Sequence, residues 1–141
     1  MKIVERFEAR GHVNVAATHP TTIEITRTSH LTKKGDCVVA VGSTKGASDL
    51  SDEFKRAARS PNAKITLTLD LDGKSFSVSG SGSPWLSFLD PNDMVVRKST
   101  FVSDRTVMVL ADRASIDIPR GFVRNLRDPA ASVSVQLAVE A

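Results

Sequence analysis

With one cysteine, Cys37, the chain cannot form an intrachain disulfide, and its core has to hold without covalent staples. Tyrosine is absent, tryptophan occurs once as Trp85, and aromatics make up 5% of the residues, so surface for stacking bases is scarce. No apolar run approaches the ~20 residues that a membrane-spanning helix needs. The first residues, Met1-Lys2-Ile3-Val4-Glu5, lack the apolar block of a secretory signal. These features together predict a cytoplasmic protein. Neither sign of charge dominates: 19 basic and 16 acidic residues leave a net charge of +3, which permits an anionic partner without demanding one. Metal-ligand spacings of the HxH, CxxC or HExxH kind are missing, so no metal site and no particular cofactor is expected.

What the chain does have is size and self-similarity. Its 141 residues suit a single compact domain spanning 1–141. Shifted by 71 residues, "RGHVNVAATHPTTIEITR" from Arg10 matches "SGSPWLSFLDPNDMVVRK" from Ser81. Shifted by 68, "DLSDEFKRAARSPNAKITLTLDL" from Asp49 matches "DIPRGFVRNLRDPAASVSVQLAV" from Asp117. The three-residue excess falls most simply in "SHLTKKGD". The repeats span about 2–71 and 74–141.

Each half reads as β-β-β-β-α-β. First strands are Val4 to Ala9 and Ser75 to Val78. Second strands, Val13 to Ala17 and Trp85 to Phe88, end at a proline turn, and Ile23 to Arg27 and Met94 to Lys98 follow. "CVVAV" and "TVMVL" are apolar runs of strand length. Helices carry Leu50, Phe54 and Ala58 in one half and Ile118, Phe122 and Leu126 in the other on one face, with Asp49 and Asp117 as expected N-caps. "KITLTLDL" and "SVSVQLAV" alternate with period two, and Asp72-Gly73 signals a tight hairpin. The expected fold is mainly β, a β-rich α+β domain: two internally duplicated halves forming a pseudo-twofold two-sheet sandwich or flattened barrel with two flanking helices.

Positions that differ between halves are free of the shared folding requirement. His12 stands against Ser83, Asn14 against Trp85, His19 against Asp90, Glu24 against Val95, and Gly35-Asp36-Cys37 against Ser103-Asp104-Arg105. If residues 13–17 and 23–27 formed a hairpin, and "SHLTKKG" another, then His12, His30, Lys33, Lys34, Asp36 and Cys37 would share one end. An extended chain keeps His12 and His19 roughly 23 Å apart. At the opposite end Thr21 and Thr22 would approach "GSTKGASD", where Lys45 and Gly46 at a helix N-terminus suit an anion. Acid–base chemistry on a phosphoester would draw on His12, His19 and Asp36. Cys37, starting an apolar run, reads as core. Arg56, Arg59, Arg124 and Arg127 recur in pairs on exposed helix faces, available to nucleic acid or to solvent.

"GHVNVAATHPTTIEIT", "LTKKGDCVVAV", "DLS" and "DMVVRKS" together resemble an archaeal family of small proteins known as a domain of unknown function, over about Val4 to Val139. The resemblance implies a mainly β, sandwich-like fold in an archaeal cytoplasm. No activity, cofactor or catalytic residue comes with it. Its motif positions include Gly11, His12, Asn14, His19, Thr22, Gly35, Asp36 and Cys37.

The leading functional expectation is a non-membrane binding module for an anionic ligand, nucleic acid or a phosphorylated small molecule. A nuclease or other phosphoester hydrolase is the alternative, and an assembly subunit presenting Trp85 or the arginine faces is the third.

Overall fold

The computed structural model describes the whole chain, Met1 to Ala141. Ten regular elements succeed one another: β1 (Lys2–Arg10), β2 (Thr22–Thr26), β3 (Val38–Ala40), α1 (Asp52–Ala58), β4 (Lys64–Leu71), β5 (Lys74–Ser81), β6 (Asp93–Arg97), β7 (Thr106–Met108), α2 (Arg120–Leu126) and β8 (Ser132–Glu140). A single 3-10 turn precedes each helix, at Ala47–Asp49 and Ser115–Asp117. The strands form two four-stranded sheets, β1-β8-β4-β5 and β3-β2-β6-β7, not closed into a barrel.

Alternation in sequence becomes alternation in burial. Ile65, Leu67, Leu69 and Leu71 of β4 and Val133, Val135, Leu137 and Val139 of β8 are buried, meeting Ile23, Ile25, Met94 and Val96 of the facing sheet. Each such side chain contributes roughly 1.5–3 kcal/mol by leaving water. Phe54 of α1 is fully buried and meets Phe88 edge to face, ring centroids 6.3 Å apart. Asp72 and Gly73 both take positive φ, 51° and 78°, in the two-residue turn joining β4 to β5. That is the geometry expected of an Asp-Gly hairpin.

Both sheets are centred on a pair of strands contributed by the two halves. The β4/β8 register sets Thr68 opposite Gln136, and the β2/β6 register sets Glu24 opposite Val95. These partners lie 68 and 71 residues apart, the same offsets at which the sequences match. Within the antiparallel β4/β8 pair, Leu67–Leu137 and Leu69–Val135 lie symmetrically on either side of Thr68–Gln136. The change of offset arises between the sheet strands: eleven residues, Arg27 to Cys37, connect β2 to β3, whereas eight, Lys98 to Arg105, connect β6 to β7.

Three local expectations need correcting. Val13 to Ala17 and Trp85 to Phe88 are not strands, so there are eight strands and not ten. Val15, Ala17, Leu86 and Phe88 are buried, which explains the alternation, but no ladder forms. His12 N–H instead donates to Leu126 O and Ser83 N–H to Ala58 O at the ends of the helices, and Ala17 and Phe88 turn the chain with φ of 50° and 54°. Next, β3 and β7 run parallel to β2 and β6, so "SHLTKKG" is a crossover and not a hairpin loop. Finally, Asp49 and Asp117 do not cap the α-helices: their carboxylates accept from Gly46 N–H and Ala114 N–H, both at 2.8 Å, across the 3-10 turns. Ser51 caps α1, accepting from Phe54 N–H, and Pro119 precedes α2.

Sheet edges are closed by loops. Glu8 N–H of β1 donates to Thr44 Oγ1, and Ser79 N–H of β5 donates to Asp112 Oδ1. Both devices spend edge hydrogen bonds that would otherwise invite another strand.

Candidate functional site

The segment between β1 and β2 crosses from one sheet to the other. Gly11 begins it, packed so tightly on the carbonyls of Leu126 and Asp128 that a Cβ would overlap them. Gly82 does the same against Ala58 and Ser60. Only glycine fits where a chain crosses a helix end this closely.

His12 and His19 have turn geometry. Nδ1 of His12 accepts from Asn14 N–H at 3.0 Å, and Nδ1 of His19 accepts from Thr21 N–H at 3.1 Å. Their counterparts act alike: Ser83 Oγ accepts from Trp85 N–H at 3.2 Å, and Asp90 Oδ1 accepts from Asn92 N–H at 2.8 Å. Histidine here occupies a position whose structural demand is one acceptor reaching two residues ahead. Asp36 comes to the His19 end, and not the His12 end, because β3 is parallel to β2. It does so by its backbone, its carbonyl accepting from Thr18 and His19 N–H at 3.0 and 3.2 Å. The left-handed turn at Ala17 aims these two amides together, and Phe88 repeats it for Leu89 and Asp90 on the Asp104 carbonyl. No group of three or more His, Cys, Asp or Glu side chains is placed to hold a metal.

The loop carrying Lys45 and Gly46 does not meet Thr21 and Thr22. It lies on the proline turn of the other half, Ser48 N–H donating to Asp90 O and Gly46 packed on Pro91. Thr21 and Thr22 lie beside the second-half loop, whose Ile116 N–H donates to His19 O and whose Ser115 Oγ donates to Thr22 O. Because β2 and β6 are antiparallel, each post-β3 or post-β7 loop lands on the opposite half. The amides of Thr44, Lys45 and Gly46 are already occupied by Glu8 O, Ser43 Oγ and Asp49 Oδ2. Lys45 Nζ pairs with Glu5 at 3.4 Å, and Asp52 and Glu53 put negative charge in the first turn of α1. Those three amides are therefore not free for an external anion.

The arginine pairs divide. The side chains of Arg56 and Arg124 have no hydrogen-bond partner in the protein, whereas those of Arg59 and Arg127 tie each helix end to the crossover of the other half. Arg59 Nε donates to Leu86 O and Arg127 Nε to Val15 O, both at 2.9 Å. The recurrence of these pairs predicts one exposed basic face on each helix, and all four residues are exposed. Arg120 was not singled out at all, yet its guanidinium collects the carbonyls of Ala17, Ser115 and Ile116 at 3.0 to 3.2 Å. Its counterpart is Asp52, and that reversal of charge is the only signal the sequence offers.

A second polar cluster lies on the outward face of β2 and β6. Arg105 Nη1 reaches Glu24 at 3.0 Å and Asp93 at 3.2 Å, Thr26 donates to Asp93 at 2.7 Å, and Cys37 Sγ lies 3.9 Å from Glu24. Burial, and then Asp93, push the Glu24 carboxyl above its ordinary range against the pull of Arg105. Burial, with Glu24 and Asp36 adding repulsion, pushes the Cys37 thiol up to about 11, and burial lowers Arg97. Cys37 is thus a protonated thiol and a poor nucleophile at neutral pH, in keeping with its place in the core wall. Glu24 and Cys37 both differ from their counterparts in the other half, whereas nothing in the sequence marks Arg105, the counterpart of Cys37, as their neighbour.

One groove opens onto residues singled out in the sequence. It is about 330 Å³ and is lined by Val13, Asn14, Val15, Ala16, Lys33 and Arg127. No carboxylate lines it. Lys33 stands on the connection that is three residues longer than its counterpart, and neither Lys33 nor Arg127 is in a salt bridge. With Nε fixed on Val15 O, the Nη groups of Arg127 remain without protein acceptors. Asn14 Nδ2 donates to Leu31 O at 2.8 Å, which settles the orientation of its amide and leaves Oδ1 without a protein donor. In the other half Trp85 replaces Asn14 and is 79% exposed.

A protein of Methanocaldococcus jannaschii described as uncharacterized is 38% identical over 122 residues, which cover 86% of this chain and 90% of the relative. The family model described as Domain of unknown function (DUF371) matches residues 7–140. On both grounds, the chain belongs to that family.

Proposed function

We propose that the protein is a binding module for a phosphate-bearing ligand, held in the groove between the 13–16 crossover and Lys33. The observation that carries this reading is a concave site with two unpaired cations and no carboxylate, one of those cations, Arg127, anchored in place by Val15 O. A guanidinium whose Nε is already engaged loses little freedom on presenting its Nη groups to an oxyanion. The groove replaces the Lys45 loop as the anion site, and its volume suits a small molecule. A single cysteine, Cys37, with no partner for an intrachain disulfide, fits residence in the cytoplasm.

Titration with inorganic phosphate, followed by backbone amide chemical shifts, tests the reading. Shifts should saturate and centre on Ala16, Lys33 and Arg127, and Lys33→Ala should weaken binding several-fold. Higher salt should weaken it as well, because Lys33 is exposed. Non-saturating shifts scattered over surface lysines would overturn it.

An assembly role is the second reading, favoured by Trp85, Leu89 and Phe101, which are 79%, 67% and 61% exposed in the second half. Concentration-dependent association that Trp85→Ala abolishes, with phosphate binding unaffected, would support it.

A further inference from the structure

We infer that the ligand of the groove is a small polyol or sugar phosphate, and not a nucleotide or a nucleic-acid strand; this rests on the phosphate-binding reading above. Size is the first argument. A volume of about 330 Å³ lies at the small end of the roughly 300–1,000 Å³ range of small-molecule pockets. A tetrahedral phosphate uses fewer than half of that space, leaving room for a short carbon chain bearing hydroxyls.

The lining supplies the second argument. None of its six residues is aromatic, so a base entering the groove would find no ring to stack on. Trp85, the one ring with a matching place in the fold, belongs to the other half, where it stands for Asn14.

Asn14 supplies the third. Its Nδ2 is committed to Leu31 O, so the group offered to the groove is the acceptor Oδ1. Lys33 and the Arg127 Nη groups offer only donors, as does the N–H of Ala16, which has no acceptor within the protein. The ligand therefore needs acceptor oxygens at one end and a donor at the other. A phosphate monoester on a hydroxylated chain has this arrangement, with a hydroxyl donating to Asn14 Oδ1. Val13, 61% exposed, provides apolar surface for the C–H face of the chain.

The test compares ribose 5-phosphate, inorganic phosphate, ribose, AMP and a single-stranded oligonucleotide by calorimetry on the intact chain. Ribose 5-phosphate should bind at least tenfold more tightly than inorganic phosphate or AMP, and ribose alone should not register. Asn14→Ala should erase the advantage over inorganic phosphate, while Lys33→Ala should weaken both. Equal affinity for ribose 5-phosphate and phosphate, both reduced by Lys33→Ala, would overturn the polyol inference and leave the anion groove standing. Tighter binding of AMP or the oligonucleotide would also overturn it. Binding of no phosphate compound, with Lys33→Ala silent, would remove both readings. The ligand comparison on the unmodified chain decides the matter even if Asn14→Ala, which also frees Leu31 O, fails to fold.

Discussion

At residue scale the same turn is closed by different chemistry. His12 and Ser83 each accept an N–H two residues ahead, and so do His19 and Asp90. If turn closure is the whole role of the histidines, His12→Ser and His19→Asp should each change stability by less than ~0.5 kcal/mol, because the acceptor is retained. His12→Ala and His19→Ala, which leave an amide unpaired, should each cost about 1 kcal/mol. Urea denaturation of the four variants checks this. A counterpart substitution as costly as alanine would show that the imidazole does something its counterpart does not. The halves differ in side chain at these positions, while the backbone sees the same acceptor in both. Asn14 against Trp85 is the other kind of difference, since the two side chains share no donor or acceptor role.

Among the elements, β2 and β6 carry an unusual burden where Glu24 faces Val95. The carboxyl of Glu24 is raised, chiefly by burial, so the native state holds its proton more tightly than the unfolded chain does. Its contribution to stability is then complete below the unfolded carboxylate range and declines as pH rises through the raised native value, the reverse of an ordinary paired carboxylate. Glu24→Gln removes that titration. The stability of the natural chain relative to Glu24→Gln should therefore fall as pH rises through and above the ordinary carboxylate range in paired denaturation curves. A difference that stays flat or grows with pH would refute the assignment. Elements were legible in the sequence where local pattern and ladder coincide: the alternation of "KITLTLDL" and the Asp72-Gly73 turn needed no tertiary knowledge. Val13 to Ala17 alternates equally well, yet its carbonyls meet the guanidinium groups of Arg127 and Arg120 and not a neighbouring strand, so periodicity recorded burial and not pairing. The parallel course of β3 was hidden for a related reason: three residues, Val38 to Ala40, pair with β2 by a direction that only the crossover decides.

On the scale of the whole molecule, neither half possesses a sheet of its own. In each sheet the central contact joins β4 to β8 or β2 to β6, and each post-β3 or post-β7 loop seats on the proline turn of the other half. Isolated, residues 1–71 would expose the inward faces of β2 and β4 and lose both central partners. A segment of that size rarely supplies more than ~3–5 kcal/mol of stability even when its core is complete. Each half alone should therefore show no cooperative thermal transition by circular dichroism. An equimolar mixture of 1–71 and 74–141 should regain one, because the β4/β8 and β2/β6 registers depend on no covalent link and only the Asp72-Gly73 turn is severed. Its midpoint should rise with concentration, since joining two chains costs translational freedom that the intact turn spares. Cooperative melting by either half alone would mean that some pairing other than the observed one suffices, and would detach the groove from the arrangement that places Lys33 and Asn14 on one half and Trp85 on the other.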